Sequence, residues 1–240
     1  MKLVSINVEQ NKHFDKVLPF LTKEKPDVIC FQEVLKSDLL RYEKALNKQS
    51  FFKPLFKGSK SLGHGDISGV AILADNFSRT FDQYYYGSED AITLDQSPTD
   101  ASSRGYAQQP VVIGDVSCGG EMYRIATTHF TWTPNGESTP YQLSDVEKLL
   151  LILEKEGELV LIGDFNAPRG RETFSRLASK YKDNIPLEYK TSIDQNFHRV
   201  GRIQFMVDGL FTTPAYVASN VRLVDGVSDH MAIVTDINKN

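Results

Sequence analysis

Two runs of unbroken apolar residues, Val28-Ile29-Cys30-Phe31 and Leu159-Val160-Leu161-Ile162, set the tightest limit on how this chain can fold. A strand with no polar alternation has no face to offer water, so both runs belong inside sheets that are covered on both sides. Around them the apolar period switches between strand and helix. Leu3, Val4, Ile6 and Val8 open the chain as a strand, and Phe14, Val17, Leu18 and Leu21 share one face of a helix over residues 13–24, stopped by Pro26-Asp27. A second helix is predicted over residues 37–46. Strands are predicted at residues 51–56, 69–74, 80–86, 110–116 and 122–128, with a polar loop over residues 88–109 that is long enough to be functional. Residues 138–154 form the strongest helical pattern, with Leu143, Val146, Leu149, Leu150 and Leu153 on one face and Gly157 past the end. Strands at 158–163, 203–212, 215–223 and 231–236 complete the set. Helices interleaved with strands early, and strand pairs later, predict an α/β chain with a pair of mixed sheets covered by helices. No linker interrupts residues 1–240, which are expected to form one domain.

Charge and cysteine content exclude several classes. Lys and Arg number 27 against 31 Asp and Glu, a net charge of −4, so the chain lacks the strongly basic balance that marks many nucleic-acid binders, although a local basic groove is still allowed. Two cysteines, Cys30 and Cys118, cannot make a disulfide framework. The first apolar stretch is too short for a signal peptide and none reaches the length of a membrane span, so a cytoplasmic monomer without a membrane span is expected. There is no Gly-Lys-Ser/Thr phosphate loop, Gly-x-Ser-x-Gly, His-Glu-x-x-His or Cys-x-x-Cys.

What remains is a set of carboxylates, amides and histidines at predicted strand ends. Leu159 to Gly163 runs into Asp164-Phe165-Asn166, whose period places the carboxylate and the amide on one side as the chain leaves the sheet. Either one equally suits a turn cap. Glu33 closes the strand at 28–32 beside Gln32; it is a hard oxygen ligand suited to Mg²⁺, or a solvated residue at the start of the next helix. Asn7 sits in the first strand as a ligand neighbour or a turn amide. Asp208 lies inside an apolar stretch where an ion needs a partner, and Asp229-His230 leads into the last strand. His129 ends another strand, and a lone histidine there also suits a purely structural role.

Taken in order, Asn7, Phe31-Gln32-Glu33-Val34, Thr128-His129-Phe130, Gly163-Asp164-Phe165-Asn166, Val207-Asp208 and Ser228-Asp229-His230 resemble the motifs of the endonuclease/exonuclease/phosphatase superfamily. The resemblance implies a four-layer α/β/β/α sandwich of two mixed sheets flanked by helices, with the site at one end of the sheets. It implies Mg²⁺ or Mn²⁺ held by Glu33 with Asn7 and Asp229. It also implies that Asp164 orients or deprotonates the attacking water, Asn166 holds the phosphate, and His230, oriented and kept charged by Asp208, stabilises the transition state opposite His129. His129 resembles the deoxyribonuclease I, deadenylase, tyrosyl-DNA phosphodiesterase and sphingomyelinase branches, whereas the abasic-site branch carries tyrosine there.

Three functions then compete. A metal-dependent nuclease or nucleic-acid phosphodiesterase is expected first, with Trp132 stacking on a base or simply packing, and with Arg169, three residues after Asn166, close to the site. Lys53, Lys57, Lys60, Arg171, Arg199 and Arg202 could add to a basic groove or be ordinary solvated charges. A lipid or inositol phosphate esterase comes second and would need an exposed apolar hairpin, for which Phe51-Phe52 and Tyr84-Tyr85-Tyr86 are candidates. An inactive binding module is disfavoured because Glu33, Asp164, Asn166, Asp208 and His230 are all present.

Overall fold

The computed structural model describes residues 1–57, 65–92 and 107–240. Lys60 and most of the loop predicted at 88–109 lie outside the described residues. Those described form twelve strands and four helices. One sheet contains β1 (Lys2–Asn7), β2 (Val28–Leu35), β3 (Gln49–Lys57), β4 (Ile67–Ala74), β11 (Tyr216–Val224) and β12 (Ala232–Lys239), in the order β11-β12-β1-β2-β4-β3. The other contains β5 (Arg79–Tyr86), β6 (Gln109–Cys118), β7 (Glu121–His129), β8 (Val160–Asp164), β9 (Lys182–Asp183) and β10 (Asp208–Thr212), in the order β5-β6-β7-β8-β10-β9. Both sheets are mixed: β1 and β2 are parallel, as are β7 and β8, and the remaining pairs are antiparallel.

The two apolar runs lie where their composition demands. Val28 and Cys30 in β2, and Val160 and Ile162 in β8, point into a core between the sheets, together with Leu3, Ile72, Ile125, Leu210 and Ile233. Their alternate neighbours, Ile29 and Phe31 on one side and Leu161 on the other, face the outer helical layers. Helices α1 (Phe14–Glu24) and α2 (Lys36–Leu46) supply Val17, Leu21, Leu39 and Tyr42 to one outer layer. Helices α3 (Pro140–Glu156) and α4 (Glu172–Lys180) supply Val146, Leu149, Leu153, Phe174 and Leu177 to the other. The result is the expected α/β/β/α sandwich. Cys30 and Cys118 are both free thiols.

Where boundaries differ from expectation, the hydrogen bonding gives the reason. The strand predicted over 203–212 forms only from Asp208. Before it, the carbonyls of Phe205, Met206 and Val207 accept from Ser192, Arg169 and Phe165, so this stretch binds loops instead of a ladder. Helix α3 begins two residues later than predicted because Thr139 is its N-cap, accepting from the Gln142 amide, with Pro140 in the first turn. Helix α4 was not anticipated, since its nine residues bury only Thr173, Phe174 and Leu177 and leave too brief a periodic signal. Of the candidate membrane hairpin residues, Tyr85 is buried in the α3 layer, while Phe51, Phe52 and Tyr86 are half-buried, packed against the inter-sheet cluster, the α1–α2 layer and the α3 layer respectively. No helix among the described residues is long and apolar enough to cross a membrane.

One glycine determines how closely β7 and β8 approach at the functional end. Gly163 has φ +153°, and a Cβ there would meet the Thr128 carbonyl oxygen at 2.3 Å. That oxygen is backbone and cannot swing away. Gly163→Ala is therefore expected to lower stability by about 2–4 kcal/mol in urea denaturation. Gly65→Ala, with open space around the new methyl, should stay within about 0.5 kcal/mol. Equal stabilities would show that β8 tolerates the side chain.

Candidate active site

The polar strand ends converge on the carboxylate of Asp164, at the C-terminal end of β8. The side chain is buried and its two oxygens have separate tasks. Oδ1 accepts from the Asn166 backbone amide at 2.8 Å, an Asx turn that fixes Asn166 at φ +49°. Oδ2 lies 3.1 Å from Asn7 Nδ2, 3.6 Å from His129 Nε2 and 3.8 Å from His230 Nε2. One oxygen of Asp164 thus caps the turn, and the other faces the side chains gathered at the strand ends.

Glu33 reaches the same place through a bulge. Between Phe31, paired with Ala71, and Val34, paired with Gly69, β2 holds one residue more than β4, and Glu33 takes φ +59°. A bulge turns a side chain out of the alternation that would otherwise send it to a sheet face. Glu33 Oε1 then accepts from Asn7 Nδ2 at 3.3 Å and lies 3.2 Å from His129 Nε2. Burial pushes its pKa upward, but the hydrogen bond and charge of His129 outweigh this and hold it at about 2. His129 Nδ1, on the far side of the ring, is buried without a partner. Asn166 Nδ2 donates to the Phe130 carbonyl at 2.9 Å and sits 3.3 Å from His129 Nε2.

Asp208 and His230, 22 positions apart, form an ion pair with Nδ1 donating to Oδ2 at 2.8 Å. Burial opposes charge on the imidazole, yet Asp208, Asp164 and Asp229 together raise its pKa well above the ordinary 6.5. Two features had no role assigned from sequence, one holding this pair and one joining the sheets. Ser192 Oγ accepts from the amides of Val207 and Asp208 at 3.1 and 3.0 Å, its carbonyl accepts from Met231 N, and Ile193 bridges His230. Nothing in Thr191-Ser192-Ile193 marks it in sequence. The other feature is Gln32, fully buried, whose Nε2 donates to Thr127 Oγ1 in the opposite sheet at 2.9 Å and to Ser5 Oγ at 3.2 Å. Its place beside Glu33 was the available signal.

A cavity of about 490 Å³ opens above these groups, and Asn7, Glu33, His129, Asp164, Asn166, Asp229 and His230 all line it. Trp132, 37 % exposed, stands on its wall, with Phe56, Tyr86 and Phe205 as further aromatic surface. Arg199, a candidate for the basic groove, also lines it, and so do Glu9, Lys12 and His198, which had no motif to announce them. Asp208 sits behind His230, away from the cavity surface.

Arg169 is not there. After Asn166-Ala167-Pro168 the chain turns away, with Arg169 N bonded to the Met206 carbonyl. The guanidinium binds Asp183 at 2.9 Å and the carbonyls of Ile185, Pro186 and Tyr189. Lys53 is paired with Asp82 and Glu89. Among the described residues no continuous basic track leads into the cleft.

The donor set fits a hard divalent cation. Asp229 is 7 % exposed, and its Oδ1 accepts from the Ser228 hydroxyl. Burial, with Glu9 and Glu33 facing it, raises its pKa to about 6 despite the nearby His230. Like-charged oxygens at one spot are the surroundings that Mg²⁺ or Mn²⁺ relieves. Among the described residues, two clusters each bring three ligand atoms within 4.8 Å of one another, Asp164-Asp208-His230 and Glu9-His13-Asp229. In the first, His230 Nδ1 is already committed to Asp208; in the second, Glu9 already pairs with Lys12 and His13.

The model of the endonuclease/exonuclease/phosphatase family matches residues 4–230. No curated protein matches the chain by sequence. Among solved structures it is similar to an endonuclease/exonuclease/phosphatase from Bacteroides vulgatus, at 16% identity and TM-score 0.73, covering 100% of this chain and 98% of that one. It is similar to the human Nocturnin catalytic domain with bound sulfate, at 16% and 0.72, covering 100% and 93%. A mannosyl-6-phosphatase from Bacteroides thetaiotaomicron aligns at 12% and 0.71, over 99% of each chain. At such identities the likeness concerns the fold.

The pH behaviour of His230 tests the geometry directly. An imidazole whose folded pKa exceeds its unfolded value adds stability that is complete below about 6.5 and is lost as pH rises through the folded value. In metal-free protein, NMR titration of the His230 Cε1–H should give a midpoint above the ordinary imidazole value. Asp208→Asn should lower that midpoint. An unshifted midpoint would mean that Asp208 does not hold the charge.

Proposed function

The chain belongs to the endonuclease/exonuclease/phosphatase family, whose members hydrolyse phosphoester bonds, and we propose that it is a divalent-metal-dependent phosphodiesterase acting on nucleic acid. The observation that carries this reading is the position of Asp164 Oδ2, facing Asn7, His129 and His230 at 3.1–3.8 Å. One carboxylate oxygen among an amide and two imidazoles can orient a water toward a phosphate held by those same groups.

Glu33, Asp229 and Asn7 would hold the metal. Bound there, it would polarise the phosphate and neutralise charge that gathers on its oxygens. Asp164 orients the attacking water and accepts its proton. His230, cationic through Asp208, donates from Nε2 to a phosphoryl oxygen, and His129 does the same from the other side. Asn166 contacts the phosphate where its turn projects between His129 and the cavity.

A nucleic-acid substrate is favoured by the aromatic wall of the cleft, because a base offers a π-face to a half-exposed indole. The lipid reading has less behind it, since Tyr85 is buried and Phe51 and Phe52 are half-buried against the cores. With Mg²⁺, the protein is expected to cleave single-stranded, duplex or 5′-adducted DNA or RNA, but not sphingomyelin, phosphoinositides or mannose 6-phosphate. EDTA should abolish turnover, and Glu33→Gln and Asp164→Asn should each lower kcat by about 10²–10⁴-fold with the fold intact. Trp132→Ala should raise KM by roughly 5- to 150-fold, equivalent to about 1–3 kcal/mol per stacked base. Turnover confined to a lipid or sugar phosphate would reassign the substrate, and full activity in EDTA would remove the metal.

A further inference from the structure

A second cavity of about 320 Å³ lies beside the catalytic cleft, and its lining includes Pro168, Arg169, Arg171, Tyr189, Lys190 and Phe205. The partition between the two is thin. Phe205 lines both cavities. Pro168 of the second stands against Gly136 of the first, so closely that a Cβ on Gly136 would meet Pro168 Cγ at 2.4 Å.

Three cations surround this second cavity, and they come from separate turns. Arg169 and Arg171 precede α4, and Lys190 follows β9. Arg169 is neutralised by Asp183, but its Nε is buried with no acceptor. The Arg171 guanidinium lies over the Phe205 ring, 5.4 Å from its centre. Lys190 Nζ donates to the Leu187 carbonyl at 2.7 Å. Among the described residues neither Arg171 nor Lys190 has a carboxylate partner, in a chain whose acids outnumber its bases by four. No carboxylate lines the cavity itself. A concave site with one sign of charge concentrates ligands of the other sign.

We infer that this cavity is a second anion subsite, which takes a non-scissile backbone phosphate of the same nucleic-acid strand whose phosphodiester is cleaved in the main cleft. The inference rests on the nucleic-acid reading and sharpens it: the strand leaves the cleft across Phe205, and the subsite selects substrates with more than one phosphate. A sugar monophosphate or a dinucleotide, each with a single phosphate, cannot occupy both places. Arginine suits such a contact, since its fork can bind two phosphate oxygens together.

The test is an Arg171→Gln/Lys190→Gln double variant. Arg169 is left intact because its bonds to Asp183 and three carbonyls hold the loop after β9, and its loss could unfold that loop. Mg²⁺-dependent hydrolysis is measured on a dinucleotide and on a single-stranded octanucleotide across a range of salt, with melting temperature as a check on folding. The octanucleotide KM should rise about 10-fold or more, by more than kcat falls. Its salt slope should flatten by about 1.4, two contacts at roughly 0.7 each for a single strand. The dinucleotide KM should move far less. An equal change for both lengths, or none for either, would overturn the subsite while leaving the nucleic-acid reading standing. Failure of the wild-type protein to turn over either oligonucleotide would overturn both.

Discussion

Asn7 and Glu33 come from one sheet and His129, Asp164 and Asp208 from the other, so the hydrogen bond from Asn7 Nδ2 to Asp164 Oδ2 exists only while the two sheets lie in one relative position. Apolar packing alone does not choose that position, because burial is non-directional. The bond from Gln32 to Thr127 does, since it joins the sheets between buried polar atoms directly below Glu33 and His129. A slip of either sheet would break this bond out of reach of water, at a cost of about 1–3 kcal/mol, while Gln32 would keep only its Ser5 partner in its own sheet. The register of the sandwich and the geometry of the site are therefore one constraint.

The carboxylates around the cleft are answered unequally, and the inequality separates their roles. Asp208 has His230, Glu33 has His129 and Asn7, and Asp164 has Asn7 and the amide of its own turn. Asp229 has a serine hydroxyl and two facing glutamates. Those partners hold the first three carboxylates in place. The last is buried among like charges.

Backbone strain is concentrated at the same place. Glu33 and Asn166 both have positive φ, and Gly163 adopts a conformation that a side chain could not enter without striking β7. Asparagine tolerates this region because its short amide bonds locally, but a glutamate gains nothing of that kind. The bulge that forces Glu33 into it is stabilised by the surrounding ladder, with β4 pairing on either side. What the strain secures is direction: without the extra residue, Glu33 would follow the strand alternation into a sheet face.

The order and type of most strands and helices followed from the sequence, because unbroken apolar runs and helical stripes are local consequences of burial. The motif residues were visible as polar groups where apolar strands end, but only their order, through the resemblance to the family, singled them out as a set. Asp208 and His230 could be paired from sequence, since a buried acid needs a cation. Arg169 shows the limit of such reasoning. Three residues is a short separation along the chain, but one bend at Pro168 sent its side chain to Asp183 and another cavity. Ser192 and His198 reached the site on loops without any period or motif, and the inter-sheet bond of Gln32 joins residues 95 positions apart. Sequence alone determined which residues must be buried and which strand ends bear polar groups, because those follow from the transfer of each side chain out of water. Which of those ends meet, and at what distance, was decided only by the packing of one sheet on the other, since that contact is made between residues far apart in the chain.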